Sequence, residues 1–198
     1  MQIGERKPGL AARILRWIIM AWYGTRGWTE ESSIPSARKY VIIAAPHTSN
    51  WDFPYFIALT TKLGVKSHFM AKDGLFRWPF GRMMRDMGGV SIDRSKSSNM
   101  VEAMVKRFAE QEDFILTIAP EGTRGKARVW KSGFYQIALQ AGVPMALGMM
   151  DYAKKRGGIS GIFWPTGDYQ ADMTKLAAFY NSCTPKHPEL ATREFGEG

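Results

Sequence analysis

One cysteine, Cys183, stands in a chain of 198 residues. An internal disulfide framework is therefore excluded, and no Cys-x-x-Cys spacing offers a metal site. A lone thiol fits a reducing compartment. Histidine is scarce too, with three in all. His68 and His187 are isolated and no His-Glu-x-x-His spacing occurs, so zinc has no ligand set. No Gly-x-Ser-x-Gly elbow exists, and Ser49 sits almost beside His47, which argues against a serine hydrolase. A long apolar run is also missing. Arg13 and Arg16 interrupt residues 9–23, leaving a stretch too short and too charged to span a bilayer comfortably. That stretch has no clean small-residue cleavage site, so it is a poor signal peptide. Repeats, low-complexity tracts and long linkers are absent.

Acidic residues are in deficit. Lys and Arg number 27 against 18 acids, a net charge of +9. Such a field attracts polyanions: nucleic acid, anionic lipid headgroups or an acidic carrier protein. Nucleic acid has no support from a Cys/His finger, an RNP-like segment or a strongly basic recognition helix. Leu10, Ile14, Trp17, Ile18 and Trp22 recur at helical spacing beside Arg13 and Arg16. An interfacial helix uses this pairing, with its apolar face in the acyl boundary and Arg and Trp at the headgroups. A first helix packed on the domain core is the competing reading.

What remains is an ordinary globular composition, 45% hydrophobic and 23% charged, of a length that suits one domain. Residues 1–30 read as an N-terminal amphipathic membrane-surface helix and 31–198 as the catalytic domain. Strands are expected at 40–45, 67–71, 90–92, 114–119, 143–150 and 161–164. Helices are expected at 53–63, 75–87, 97–111 and 132–141. Strands alternating with helices predict an α/β sandwich with a mainly parallel central sheet. Ligands bind at the loops beyond the strand ends of such sheets. The polar clusters fall there: His47 to Asp52, Asp93-Arg94, and Pro120 to Arg124.

Within a regular helix, residues five apart point about 140° away from each other, so His47 and Asp52 would not meet. They meet if His47 occupies the turn and Asp52 opens the helix, whose start Pro54 marks. A carboxylate there holds one imidazole tautomer and stabilises the imidazolium. His47 is then a general base without a nucleophile of its own, and the substrate hydroxyl attacks. In the second cluster Gly122 permits a tight turn, Thr123 offers a hydroxyl and Arg124 a planar fork for phosphate. Lys126, Arg128 and Lys131 add charge nearby.

These clusters, in this order, resemble the glycerolipid acyltransferase family, best known for lysophosphatidate acyltransferases. The family's first block is Asn-His followed by four residues and Asp. His47 and Asp52 match it, with Pro46 in place of Asn. The second block, Gly-x-x-Phe-Ile-Asp-Arg, is met at Gly88 or Gly89, Ile92, Asp93 and Arg94, with Ser91 where Phe is usual. The third, Pro-Glu-Gly-Thr-Arg, is intact at 120–124, although Gly125 replaces the common Ser. The fourth matches Val143-Pro144-Met145. Lys72, Pro79 and Gly81 suit the intervening segment, and Lys131-x-Gly133 suits the stretch after the third block. The likeness covers roughly residues 38–150.

It implies a peripheral enzyme on the cytoplasmic face of an anionic membrane. This enzyme moves an acyl group from acyl-CoA or acyl-carrier protein, as co-substrate, to a lysophospholipid hydroxyl, without a cofactor or metal. The leading acceptor is 1-acyl-sn-glycerol-3-phosphate, which would give phosphatidic acid. His47 and Asp52 would be catalytic, and Lys72, Arg94, Glu121, Gly122, Thr123, Arg124 and Lys131 would bind substrate. Another lysolipid, such as a lyso-aminolipid, and a non-catalytic lipid-binding protein on the same scaffold are the alternatives.

Overall fold

The computed structural model describes residues 7–92 and 97–192. Chain order is α1 (Leu10–Gly24), β1 (Thr29–Ser32), β2 (Lys39–Ala44), α2 (Asp52–Lys62), β3 (Ser67–Lys72), α3 (Gly81–Asp86) and β4 (Gly89–Ile92). It continues with α4 (Ser97–Glu110), β5 (Phe114–Ile118), α5 (Gly133–Ala141), β6 (Met145–Asp151), β7 (Arg156–Phe163) and α6 (Tyr169–Asn181). The strands form one sheet in the order β1-β7-β6-β2-β5-β3-β4. Every pairing is parallel except β6 with β7. This is the mainly parallel α/β sandwich expected from the sequence.

The centre of the sheet follows from composition. Tyr40, Val41, Ile42 and Ile43 of β2 are all buried, as a parallel strand covered on both faces requires. Alternate residues serve opposite layers. Val41 and Ile43 join Phe108 of α4, Phe134 of α5 and Leu176 of α6 in one core. Tyr40 and Ile42 face the other way, with Val65 and Ile159. A further cluster joins Ile19 and Tyr23 of α1 to Tyr55 and Ile57 of α2, Phe69 of β3 and Phe76. Helix α1 thus packs into the domain by one face, and the Gly9 N–H donates to Asp86 Oδ2 at 2.9 Å, tying its start to α3.

The helix expected at 75–87 is divided. Asp73–Phe76 form a 3-10 turn, and α3 begins only at Gly81. Pro79 has no N–H to give, and it drives the residue before it out of helical geometry. Strand β7 is longer than the expected 161–164 and antiparallel to β6. Strand β1 is additional to the expected set, because Thr-Glu-Glu-Ser is a polar edge segment with no apolar alternation. Helix α6 is also additional; its N-cap Asp168 accepts the Ala171 N–H at 3.0 Å.

Candidate active site

Two loops meet because β2 and β5 are neighbours, with Ile43 opposite Ile118. After β2 the chain passes a cis Ala45–Pro46 peptide and reaches His47. The His47 N–H donates to Glu121 Oε2 at 2.7 Å. Thr48 Oγ1 accepts the His187 N–H at 3.2 Å. The loop is therefore oriented from two sides, although Pro46 provides no side-chain amide.

Asp52 is the first residue of α2, where the helix dipole favours an acid. Its side chain folds back across the turn. Oδ2 lies 3.0 Å from His47 Nδ1 and accepts the Ser49 N–H at 2.9 Å. Oδ1 accepts the Tyr152 hydroxyl at 2.6 Å. The Asp52 side chain is 2% exposed and that of His47 25%. Pairing Nδ1–H with a carboxylate leaves the lone pair on Nε2, on a ring that solvent and substrate can reach. Burial and the bond to Asp52 both raise the pKa of Tyr152, so its hydroxyl stays a donor.

Glu121 ends up away from solvent, 4% exposed, with its carboxyl turned to the His47 backbone. Burial pushes its pKa up to about 7, against the opposing effect of the His47 N–H. Oε1 has no hydrogen-bond partner among the described residues. Glu121 thus contacts the His47 loop through Oε2. Gly122 takes φ +67°, and a Cβ there would lie 3.1 Å from the Lys131 stem. The Lys131 side chain therefore lies over the turn, and its backbone N–H bonds Pro120 O at 3.0 Å. Thr123 is exposed, with Oγ1 accepting the Gly125 N–H at 3.2 Å. Arg124 is exposed.

Lys72 is exposed at the end of β3, which pairs with β5 on the side away from β2. Asp93 and Arg94 lie outside the described residues. A small apolar cavity of about 40 Å³ is lined by Ile42, Ala45, Phe56, Leu59, Met150 and Ile159.

Sequence reasoning missed Tyr152 and Lys186. The Lys186 ammonium sits 5.1 Å from the Trp51 ring and 5.9 Å from that of Tyr152. The only available signal for Tyr152 was its place just past a strand of an α/β sheet, where ligand sites gather.

A buried carboxylate thus lies beside a reachable imidazole at the carboxyl ends of a mainly parallel sheet, a geometry with which a side chain can accept a proton. The sequence pattern of the acyltransferase family matches residues 28–146. That is more than half of the chain, and the chain belongs to this acyltransferase family. The crystal structure of the 1-acyl-sn-glycerophosphate acyltransferase PlsC from Thermotoga maritima has a similar fold. It aligns with a TM-score of 0.55 at 20% identity, over 84% of this chain and 76% of that one. A search of curated protein sequences finds no match.

Proposed function

We propose that this acyltransferase moves a fatty acyl group from a thioester, acyl-CoA or acyl-carrier protein, to the free hydroxyl of a lysophospholipid. The leading acceptor is 1-acyl-sn-glycerol-3-phosphate, and the product phosphatidic acid. The observation that carries this reading is the His47–Asp52 pair, 3.0 Å apart, with no serine or cysteine nucleophile bonded to the imidazole among the described residues. His47 Nε2 takes the proton of the acceptor hydroxyl. The oxygen attacks the thioester carbonyl carbon, and backbone N–H groups of the loops meet the developing oxyanion. Collapse of the tetrahedral intermediate breaks the C–S bond, and the departing sulfur takes the proton back from His47. An ester and a free thiol result.

The other residues divide by position. Arg124 and Lys131 meet the acceptor phosphate, and Lys72 and Arg94 are assigned to the acceptor as well. Gly122 and Thr123 shape the turn that presents them. Glu121 holds the His47 loop in place. The PlsC likeness supports the acceptor class, and the positive charge around 124–131 supports a phosphate.

Attachment to the membrane is peripheral in this reading. No described helix is long and apolar enough to cross a bilayer. Helix α1 instead turns Leu10, Ile14, Trp17 and Ile18 outward, and this face lies in an anionic cytoplasmic-side surface. The test offers purified protein a panel of lysolipids with acyl-CoA and acyl-carrier protein, beside His47→Ala. Transfer to a lysophospholipid by the wild type alone is the expected result. No transfer to any acceptor, or equal transfer by both proteins, overturns the reading.

A further inference from the structure

Apolar side chains are left outside the fold at a second place in the same layer as α1. After β3 the chain pins itself down with Phe76, which is buried beneath the layer. On either side of that pin it turns its largest apolar groups outward. Leu75 is 51% exposed, Phe80 61% and Trp78 93%. A tryptophan this exposed contributes almost nothing to the core, and three such groups within six residues form a patch, not scattered surface apolarity.

The surroundings say what the patch fits. Residues 72–86 carry four basic side chains, Lys72, Arg77, Arg82 and Arg85, all but Arg82 and Arg85 flanking the turn itself. The acids of the segment are Asp73 and Asp86, and both are engaged. Asp73 accepts the Ser91 hydroxyl at 2.8 Å. Asp86 accepts the Gly9 N–H and lies 3.8 Å from Arg82. Exposed aromatic tips with exposed basic residues in the same segment match a bilayer interface, where indole and phenyl rings enter the headgroup–acyl boundary and guanidinium groups meet phosphates.

Its position adds a second argument. The segment leaves the carboxyl end of β3, the same sheet edge at which β2 delivers His47 and β5 delivers Glu121. It is joined to α1 through the Gly9–Asp86 bond. At its other end α1 stacks Trp22 on Trp51, beside Asp52, with ring centroids 5.4 Å apart.

We propose that Leu75, Trp78 and Phe80 form a second insertion point for an anionic bilayer. Together with the outer face of α1 it docks the enzyme by two contacts and brings the His47 edge to the surface where a lipid acceptor lies. The inference rests on the lipid reading above and adds to it a separate contact and an orientation.

The test uses the full chain. Cys183 is the only cysteine and is buried, so Trp78→Cys accepts one environment-sensitive fluorophore at the tip. Labelled protein is mixed with phosphatidylcholine vesicles with and without phosphatidylglycerol. The expected result is a blue shift with the anionic vesicles, quenched by shallow brominated lipid. Trp78→Ser/Phe80→Ser is expected to partition about tenfold or more weakly, with Trp78→Phe recovering part of the loss. Its thermal stability and its turnover of a dispersed short-chain acceptor should stay at wild-type values.

If the protein sediments with vesicles while the probe remains in water and the double variant binds normally, the second contact is overturned and the lipid reading stands. Binding to no vesicle, with acyl transfer intact, also overturns it. Concentration-dependent self-association of the wild type without lipid, abolished in the double variant, would assign the patch to a second copy of the chain and overturn the bilayer. Failure of acyl transfer itself is read in the separate lysolipid assay.

Discussion

Tyr152 and Asp52 are 100 residues apart in sequence, and their side chains share a 2.6 Å hydrogen bond. The phenol occupies Oδ1, so the other carboxylate oxygen is left to the Ser49 N–H and His47 Nδ1. Tyr152 is itself wedged against Trp28 and Tyr55, with ring centroids at 5.1 and 5.6 Å. A rigid aromatic cluster thereby sets the angle from which Asp52 addresses the imidazole.

Removing that hydroxyl tests its positioning role. Tyr152→Phe keeps the ring and leaves Oδ1 buried without its donor. Stability is expected to fall by about 1–2 kcal/mol. Turnover should drop about tenfold or more, as the loss of a partner behind a catalytic group does, while KM for the acceptor stays near wild type. Parallel measurement of kcat, KM and Tm checks this; a change in Tm alone would make the tyrosine a purely structural residue.

Asp52→Asn separates charge from shape. The amide can offer Nδ1 a donor in place of an acceptor, which favours the wrong tautomer. The expected loss in kcat is roughly 10³–10⁴-fold by analogy with other His–carboxylate pairs, with lysolipid binding retained. Steady-state kinetics beside an equilibrium binding measurement on the same variant decide it.

Glu121 ties fold stability to pH. Its pKa rises from the ordinary glutamate value of 4.5 to about 7 in the fold. Below 4.5 both folded and unfolded chains hold the proton. Between 4.5 and about 7 the unfolded chain releases it while the folded chain keeps it, so stability falls as pH rises across that window. Above it the full cost is present, on the order of 3 kcal/mol. Glu121→Gln keeps an acceptor for the His47 N–H and cannot ionise. Its unfolding free energy, followed by urea titration from about pH 4.5 to 8, should be flatter than that of the wild type.

Gly122→Ala probes the turn. A side chain at φ +67° costs about 1–2 kcal/mol, and the new Cβ presses on the Lys131 stem. Lower Tm and a severalfold higher KM for a phosphate-bearing acceptor are expected, with a smaller effect on a phosphate-free one.

The local parts of this arrangement were legible in the chain. The spacing of His47 and Asp52 makes sense only across a turn-to-helix junction, and Pro54 marks that junction; the contact spans five residues and needs no distant partner. The alternation of apolar strands with helices, and the helical recurrence in α1, were equally readable. The expected single helix at 75–87 overlooked how strongly Pro79 interrupts helical geometry. The bond from the His47 N–H to Glu121 was not legible, because the motif shows residue types but not which way a carboxyl turns.

By itself, then, the sequence determined the sheet class, the polar loops at the strand ends and the His–Asp junction, all of which follow from periodicity, turn residues and short spacing. Tertiary structure alone decided that β5 lies against β2, which turns Glu121 onto the His47 backbone, and that β6 lies on the other side of β2, which brings Tyr152 to Asp52. It also decided which apolar groups of α1 and of residues 75–80 stay outside the core. Strand order and burial are settled by packing among segments distant in the chain, and no local spacing encodes them.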